Sequence, residues 1–185
     1  LTYSTGFRAP QAYDEDLHIT AVGGEGTLIK LAEGLKEERS NSFSGSVDWT
    51  TNIGHWQANL LVEAFYTDLR DVFVLEDIGT TPSGDLLKER RNGNGARVYG
   101  ANLDAKLAHG KDIQLQLGFT AQRSQYKQAE PWTEVDGIAL TTKRMPRTPQ
   151  YYGYFTLTSA PFRNVDFSLS GIYTGEMIVP HYAGY

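Results

Sequence analysis

Two neighbouring arginines, Arg90 and Arg91, are the residues best suited to bind an anion. They lie in a polar stretch with Asp85, Lys88 and Glu89. A guanidinium group donates paired hydrogen bonds to a carboxylate or a phosphate, so the two arginines fit an anionic ligand. A solvated loop that binds nothing is the alternative interpretation.

Trp132 follows Pro131 in a second polar stretch and is the candidate for stacking on a ring or a sugar. An exposed tryptophan without a ligand is the alternative. Arg90, Arg91 and Trp132 together form the predicted ligand-binding set.

Asp104 and Lys106 lie two residues apart on one face of a predicted strand, which raises the question of acid–base catalysis. No nucleophile and no histidine accompany them, so a lattice of salt bridges is the favoured interpretation and no catalytic residue is predicted. Gly93, Gly95 and Gly100 precede a strand rather than a helix, which argues against a phosphate-binding loop. With four scattered His and no Cys, the sequence predicts neither a metal site nor a cofactor.

Composition limits the classes of function. The chain has 185 residues, enough for one domain, and its net charge of −5 argues against nucleic acid as a partner. No apolar run is long enough for a transmembrane helix. Because the chain opens and ends within the strand pattern, at Leu1 and Tyr185, we expect it to be a piece of a longer protein.

Alternation of apolar and polar residues predicts long β-strands with one apolar and one polar face. It is clearest in a hairpin over residues 97–122 and recurs over 43–49, 56–66 and 165–173, while the strand at 151–159 is ambiguous. Eleven residues are predicted on one continuous side of one sheet: Phe43, Val47, Leu60, Val62, Leu103, Ala105, Leu107, Leu115, Leu117, Phe167 and Leu169.

The predicted connections alternate between tight turns and long polar segments. The turns are expected at 51–54, 109–112 and 161–164. The long segments are expected at about 11–36, with a short helix over 28–35, and at 76–95 and 128–148. Trp49, Trp56 and Phe162 flank the turns as in an interfacial aromatic girdle. Long strands, short turns at one end and long loops at the other are typical of transmembrane β-barrels.

Short sequence blocks stand in a fixed order along most of the chain. Residues 3–10 read Tyr-Ser-Thr-Gly-Phe-Arg-Ala-Pro. The later matches are Leu35, Glu38 and Ser40, then Asn92, Ala96 and Gly100, and finally Arg144 with Pro146. In this order the blocks resemble those of TonB-dependent outer-membrane receptors of the cobalamin and siderophore type.

The resemblance implies an all-β fold, an antiparallel up-and-down meander of about seven long strands that belongs to a 22-stranded transmembrane β-barrel. Residues 1–185 would form a partial barrel domain, with the plug, the TonB box and the last strands outside it. The whole protein would lie in the Gram-negative cell outer membrane and contact its lipid. It would bind a scarce nutrient, such as a ferric siderophore or cobalamin, and import it with energy coupled through TonB, which contacts the plug.

Two other classes of protein stay open at this point. One is a soluble ligand-binding β-barrel, which would need its apolar face inward and short loops at both ends. The other is a carbohydrate-binding β-sandwich that uses Trp132 and needs two stacked sheets. We also expect the isolated piece to self-associate, because its apolar face would lack lipid.

Overall fold

The chain folds into β-strands throughout the described residues, which are 1–10, 27–82, 84–110, 112–135, 138–162 and 164–179 of a computed structural model. No helix in these segments is long and apolar enough to cross a membrane. The strands are β1 (Thr2–Arg8), β2 (Thr27–Leu31), β3 (Glu38–Ile53), β4 (Trp56–Arg70), β5 (Phe73–Thr80), β6 (Leu86–Asn92), β7 (Ala96–His109), β8 (Ile113–Val135), β9 (Ile138–Arg144), β10 (Tyr151–Phe162) and β11 (Val165–Thr174).

Seven of these strands form one antiparallel meander, which we call the wall. Its order is β1-β3-β4-β7-β8-β10-β11, so strands that follow one another along the chain are neighbours except where β2, β5, β6 and β9 intervene. This confirms the predicted all-β, up-and-down architecture with about seven long strands. Within the described residues the wall is an open single layer, with little of the core that a soluble domain buries.

The register of the wall assigns one apolar face and one polar face. Val47 pairs with Val62, and Val62 pairs with Leu103 on its other side. Since directly paired residues point to the same side, all eleven predicted apolar residues share one face, as expected. The same rule resolves the ambiguous strand, because Phe155 pairs with Leu117 and therefore lies on the apolar face.

The three predicted tight turns lie together at one end of the wall, which we call the turn end. Ile53 pairs with Trp56 across a two-residue turn, and Trp56 pairs with His109 on the next strand. Gly54, with φ 63°, supplies the left-handed conformation that such a hairpin turn requires. The third hairpin joins β10 to β11, whose turn includes Asn164 at φ 67°.

The predicted long segments meet at the opposite end, the loop end, but they are not unstructured loops. Strands β2, β5 and β6 form a second sheet in the order β2-β6-β5, which we call the cap, and β9 pairs with the outer part of β8. The expected helix over 28–35 is wrong, because residues 27–31 form β2. The first part of that long segment, residues 11–26, lies outside the described residues.

Backbone pairing explains why the predicted long segments form strands instead of loops or a helix. Strand β2 runs parallel to β6, with Leu28 opposite Leu87, so its hydrogen-bond partners come from a distant part of the chain. Such tertiary pairing overrides local propensity, and it satisfies backbone groups that a helix would have satisfied internally. The same holds for residues 125–144, which form the hairpin of β8 and β9.

Candidate functional site

Aromatic residues border the apolar face of the wall at both ends. At the turn end, the ring of Trp56 lies 4.9 Å from that of His109, and Trp49 lies on the same face and is exposed. Toward the loop end, Tyr66 and Tyr99 face each other with ring centroids 6.4 Å apart. A strand tilted by about 40° needs about ten residues to cross an apolar band of about 25 Å, which is the span between the two aromatic levels on β4.

The polar face carries a hydrogen-bonded lattice across neighbouring strands. Asn102 Nδ2 donates to Glu63 Oε2 at 2.9 Å, and Thr120 Oγ1 donates to Asn102 Oδ1 at 2.9 Å. Three strands, β4, β7 and β8, are therefore linked by side chains as well as by their backbones. Such contacts make the wall more rigid.

Tyr154 extends this lattice across an adjacent strand. Its ring lies over Gly118, where an added Cβ would approach the ring to 2.2 Å. The Tyr154 hydroxyl donates to Asp104 Oδ1 at 3.2 Å and accepts a hydrogen bond from Gln116 at 3.0 Å. Asp104 is thus held by a phenol, and among the ion pairs of the described residues Lys106 takes no part. The lattice is one of hydrogen bonds rather than the expected salt bridges.

The two candidate arginines occupy strand β6 of the cap rather than a loop. Arg91 pairs with Glu76 on β5 and keeps 36% of its side chain exposed. Arg90 is only 1% exposed, and its guanidinium carbon lies 6.0 Å from the centroid of the Phe73 ring. The solvated-loop interpretation is therefore wrong for Arg90, because the strand turns alternate side chains to opposite sides and buries this one.

Trp132, the third candidate, belongs to strand β8 beyond its pairing with β7. Its side chain lies outside the part of the structure that is described. Strand β8 places the residue at the loop end, on the same side of the molecule as the cap.

Two side chains from the sequence blocks, which were not predicted to bind a ligand, fasten the cap to the wall. The amide of Asn92 accepts a hydrogen bond from Lys36 N at 2.8 Å and donates to the carbonyls of Lys36 and Asp71 at 2.9 and 2.7 Å. Glu38 of β3 accepts a hydrogen bond from the Phe73 backbone N–H. Asn92 belongs to one of the sequence blocks, but an asparagine next to Gly93 is also an ordinary turn signal, so the sequence does not indicate this three-way contact.

A buried carboxylate lies close to the same junction. Glu130 is buried on β8 and accepts a hydrogen bond from Asn94 N at 3.3 Å. Burial raises the pKa of the Tyr126 phenol, and the carboxylates of Glu130 and Glu38 raise it further. Tyr126 lies beyond the ten residues of β8 that would cross the apolar band. Tyr126, Glu130 and Glu38 therefore lie at the loop end.

No group of three His, Asp or Glu side chains among the described residues is placed to hold a metal ion. What they present instead is a wall with unlike faces and a folded cap at one end.

Comparison with a family model decides what kind of wall this is. Residues 1–183 match the model described as TonB dependent receptor-like, beta-barrel. The chain belongs to this family of TonB-dependent receptor β-barrels. The family comprises receptors and transporters of the outer membrane rather than enzymes. The soluble barrel and the carbohydrate-binding sandwich are accordingly rejected.

Solved structures share the fold of this TonB-dependent receptor barrel. The siderophore receptor PirA from Pseudomonas aeruginosa matches 92% of this chain with a TM-score of 0.60 and 18% identity. The FrpB iron transporter from Neisseria meningitidis (F3-3 variant) matches 80% of it with a TM-score of 0.50 and 17% identity. The chain spans 30% of the PirA chain and 20% of the FrpB chain. No curated protein matched its sequence.

Proposed function

We propose that this chain is part of an outer-membrane receptor that binds a scarce nutrient at the cell surface and imports it with energy coupled through TonB. Residues 1–185 would supply a portion of the barrel wall, and the plug that contacts TonB would belong to the rest of the protein. The apolar face would meet membrane lipid, and the polar face would line the interior.

The observation that carries this proposal is the folded cap above a wall with unlike faces. A rigid wall gives loops a fixed frame, and binding residues usually lie on such loops. The cap presents Arg91 with more than a third of its side chain exposed. A partly exposed guanidinium suits an anionic ligand such as a ferric siderophore.

The ligand class is supported by the names of the similar structures, which are a siderophore receptor and an iron transporter. A ferric siderophore is therefore our first candidate, and cobalamin is the alternative. Of the predicted set, Arg91 and Trp132 would touch the ligand, whereas the burial of Arg90 favours a role in holding the cap. Its contact with a ligand stays a prediction.

The proposal is tested by substituting Arg91→Ala in the full-length receptor and measuring uptake of ferric siderophore by cells. Loss of a charge-assisted hydrogen bond should weaken uptake at low ligand concentration by about tenfold. Trp132→Ala, measured in the same way, should weaken it further if the indole stacks on the ligand. The amount of receptor in the outer membrane should stay unchanged.

Lys88→Ala is the matched control. Lys88 lies on the same strand, pairs with Asp77 at 3.1 Å, and points to the other side of the cap. Its loss should leave uptake unchanged. Equal uptake by all three variants and the parent would reject the cap as the binding surface, and a receptor that accumulates no nutrient under any condition would reject the proposed function.

A further inference from the structure

Three cations surround one carboxylate at the loop end of the wall. Asp68 of β4 lies 2.8 Å from Lys127 Nζ, 3.3 Å from Arg70 Nε and 3.7 Å from Arg97 Nε. The hydrogen bond from Lys127 holds the pKa of the Asp68 carboxyl below its usual range, and Arg70 acts in the same direction. We call these four residues the cationic cluster.

The cluster carries excess positive charge on a chain that is acidic overall. Arg70 and Arg97 keep 64% and 56% of their side chains exposed. Two guanidinium groups and an ammonium group carry far more N–H donors than one carboxylate can accept. The remaining donors therefore face solvent on this side of the wall.

The cationic cluster lies on the apolar face of the wall, just beyond its aromatic residues. Asp68 pairs with Arg97 one step beyond the Tyr66 and Tyr99 pair, on the apolar face. Followed along this face from Val62, the residues change from aliphatic to aromatic to cationic. Hydrocarbon, interface and charged headgroup follow one another in that order in a lipid leaflet.

We propose that the cationic cluster binds the phosphate groups of lipid headgroups at the outer surface of the membrane. The inference rests on the proposed function, because it needs the apolar face to meet lipid. Arginine binds phosphate through paired hydrogen bonds, and Asp68 neutralises only one of the three positive charges. The polar lattice lies on the opposite face of the wall, and the proposed nutrient-binding residues Arg91 and Trp132 are not members of the cationic cluster.

The backbone at Gly95 helps to position Lys127 in the cationic cluster. Gly95 adopts φ 86°, and a Cβ there would lie 3.3 Å from Lys127 Nζ and 2.4 Å from the Leu69 carbonyl oxygen. Lys127 N donates to the Gly95 carbonyl at 3.0 Å. The turn into β7 therefore passes close beside the ammonium group and fixes its approach to Asp68.

The test measures how much added lipid A, a phosphorylated glycolipid, the purified full-length receptor retains in detergent, using native mass spectrometry. Two forms of the probe are compared, the diphosphorylated lipid and its dephosphorylated counterpart. We expect the parent receptor to retain the phosphorylated form, and an excess of inorganic phosphate to displace little of it, since the acyl chains also bind the apolar face.

Two variants separate recognition from structure. The double variant Arg70→Gln with Arg97→Gln should lower retention of the phosphorylated lipid by about tenfold. Asp68→Asn should keep or strengthen retention, because it removes the negative charge that competes with phosphate. Lys106→Gln, which removes a cation from the polar face, is the matched control and should change nothing.

Several outcomes would overturn the inference. They are equal retention by the double variant and the parent, equal retention of both forms of the lipid, or a loss in Asp68→Asn as large as in the double variant, which would mark the cluster as structural only. If the double variant fails to fold, Arg97→Gln alone replaces it, since its ion pair with Asp68 is the longest. Ferric siderophore binding is measured in the same samples, so that failure of lipid retention and failure of the proposed function are told apart.

Discussion

Tyr154 shows how one side chain joins strands that are not neighbours. It starts on β10, crosses β8 above Gly118, and reaches Asp104 on β7. A glycine beneath an aromatic ring leaves room for the ring to lie flat on the sheet. The arrangement needs both Tyr154 and Gly118, so the sequence of either strand by itself does not predict it.

We predict that Tyr154→Phe lowers the free energy of unfolding of the full-length barrel by about 1 kcal/mol, since it removes the hydroxyl shared by Gln116 and Asp104. Unfolding in urea, followed by the loss of heat-modifiable migration on gels, measures the change. Tyr152→Phe is the control, because that hydroxyl makes no hydrogen bond within the described residues. A Tyr154 variant as stable as the control would contradict the proposed role of the lattice.

At the level of single residues, the sequence located the candidate arginines but not their surroundings. The sequence predicts Arg90 and Arg91 in one polar loop, whereas the strand separates them into a buried and a partly exposed residue. The sequence of β6 shows no alternation here, because every residue from Lys88 to Asn92 is polar. A buried arginine gives no hydrophobic signal, so its burial depends on partners far along the chain.

The wall can be predicted from local sequence patterns, whereas the cap cannot. Most wall strands follow period-two patterns and pair with the next wall strand along the chain, so the faces of β3, β4, β7, β8 and β11 could be predicted. The strands of the cap are short and partly parallel, and β2 pairs with β6 across many intervening residues. Local sequence carries no information on such a pairing.

We predict that Gly95→Ala loosens the cap. A Cβ there meets the Leu69 carbonyl and the residue must hold a positive φ, which together cost about 2 kcal/mol or more. Limited proteolysis of the full-length receptor should then cleave residues 72–95 faster, while the wall stays intact.

Gly84→Ala is the control for the effect of φ alone. Gly84 has φ 91°, but nothing lies within 4 Å of an added Cβ. Cleavage of residues 72–95 should increase less in Gly84→Ala than in Gly95→Ala. Equal rates for the two variants would show that the contact between Gly95 and β4 does not hold the cap in place.

For the whole molecule, the two faces of the wall make opposite demands on a charged residue. Val62 and Leu61 are neighbours on β4, and both are aliphatic. Val62 lies on the apolar face, whereas Leu61 pairs with Asp48 and Asp104 on the polar face.

We predict that Val62→Arg lowers the amount of folded receptor in the outer membrane, since arginine near the middle of the lipid band costs about 2–4 kcal/mol. Leu61→Arg should be tolerated, because the new cation would face two aspartates. Quantitative immunoblots of outer-membrane fractions compare the two variants. Equal loss, or greater loss for Leu61→Arg, would contradict the assignment of the apolar face to lipid.

A backbone hydrogen bond joins the two ends of the β5–β6 hairpin, and this contact has a consequence for exchanging that hairpin. Gly93 N donates to the Val72 carbonyl at 2.7 Å, so the chain enters and leaves the β5–β6 hairpin at one point. Leu69 and Ala96 stay paired in the wall on either side of it. We therefore expect that a different β-hairpin substituted for residues 72–93 would leave the pairing of β4 with β7 unchanged, while β2 would lose its partner strand β6.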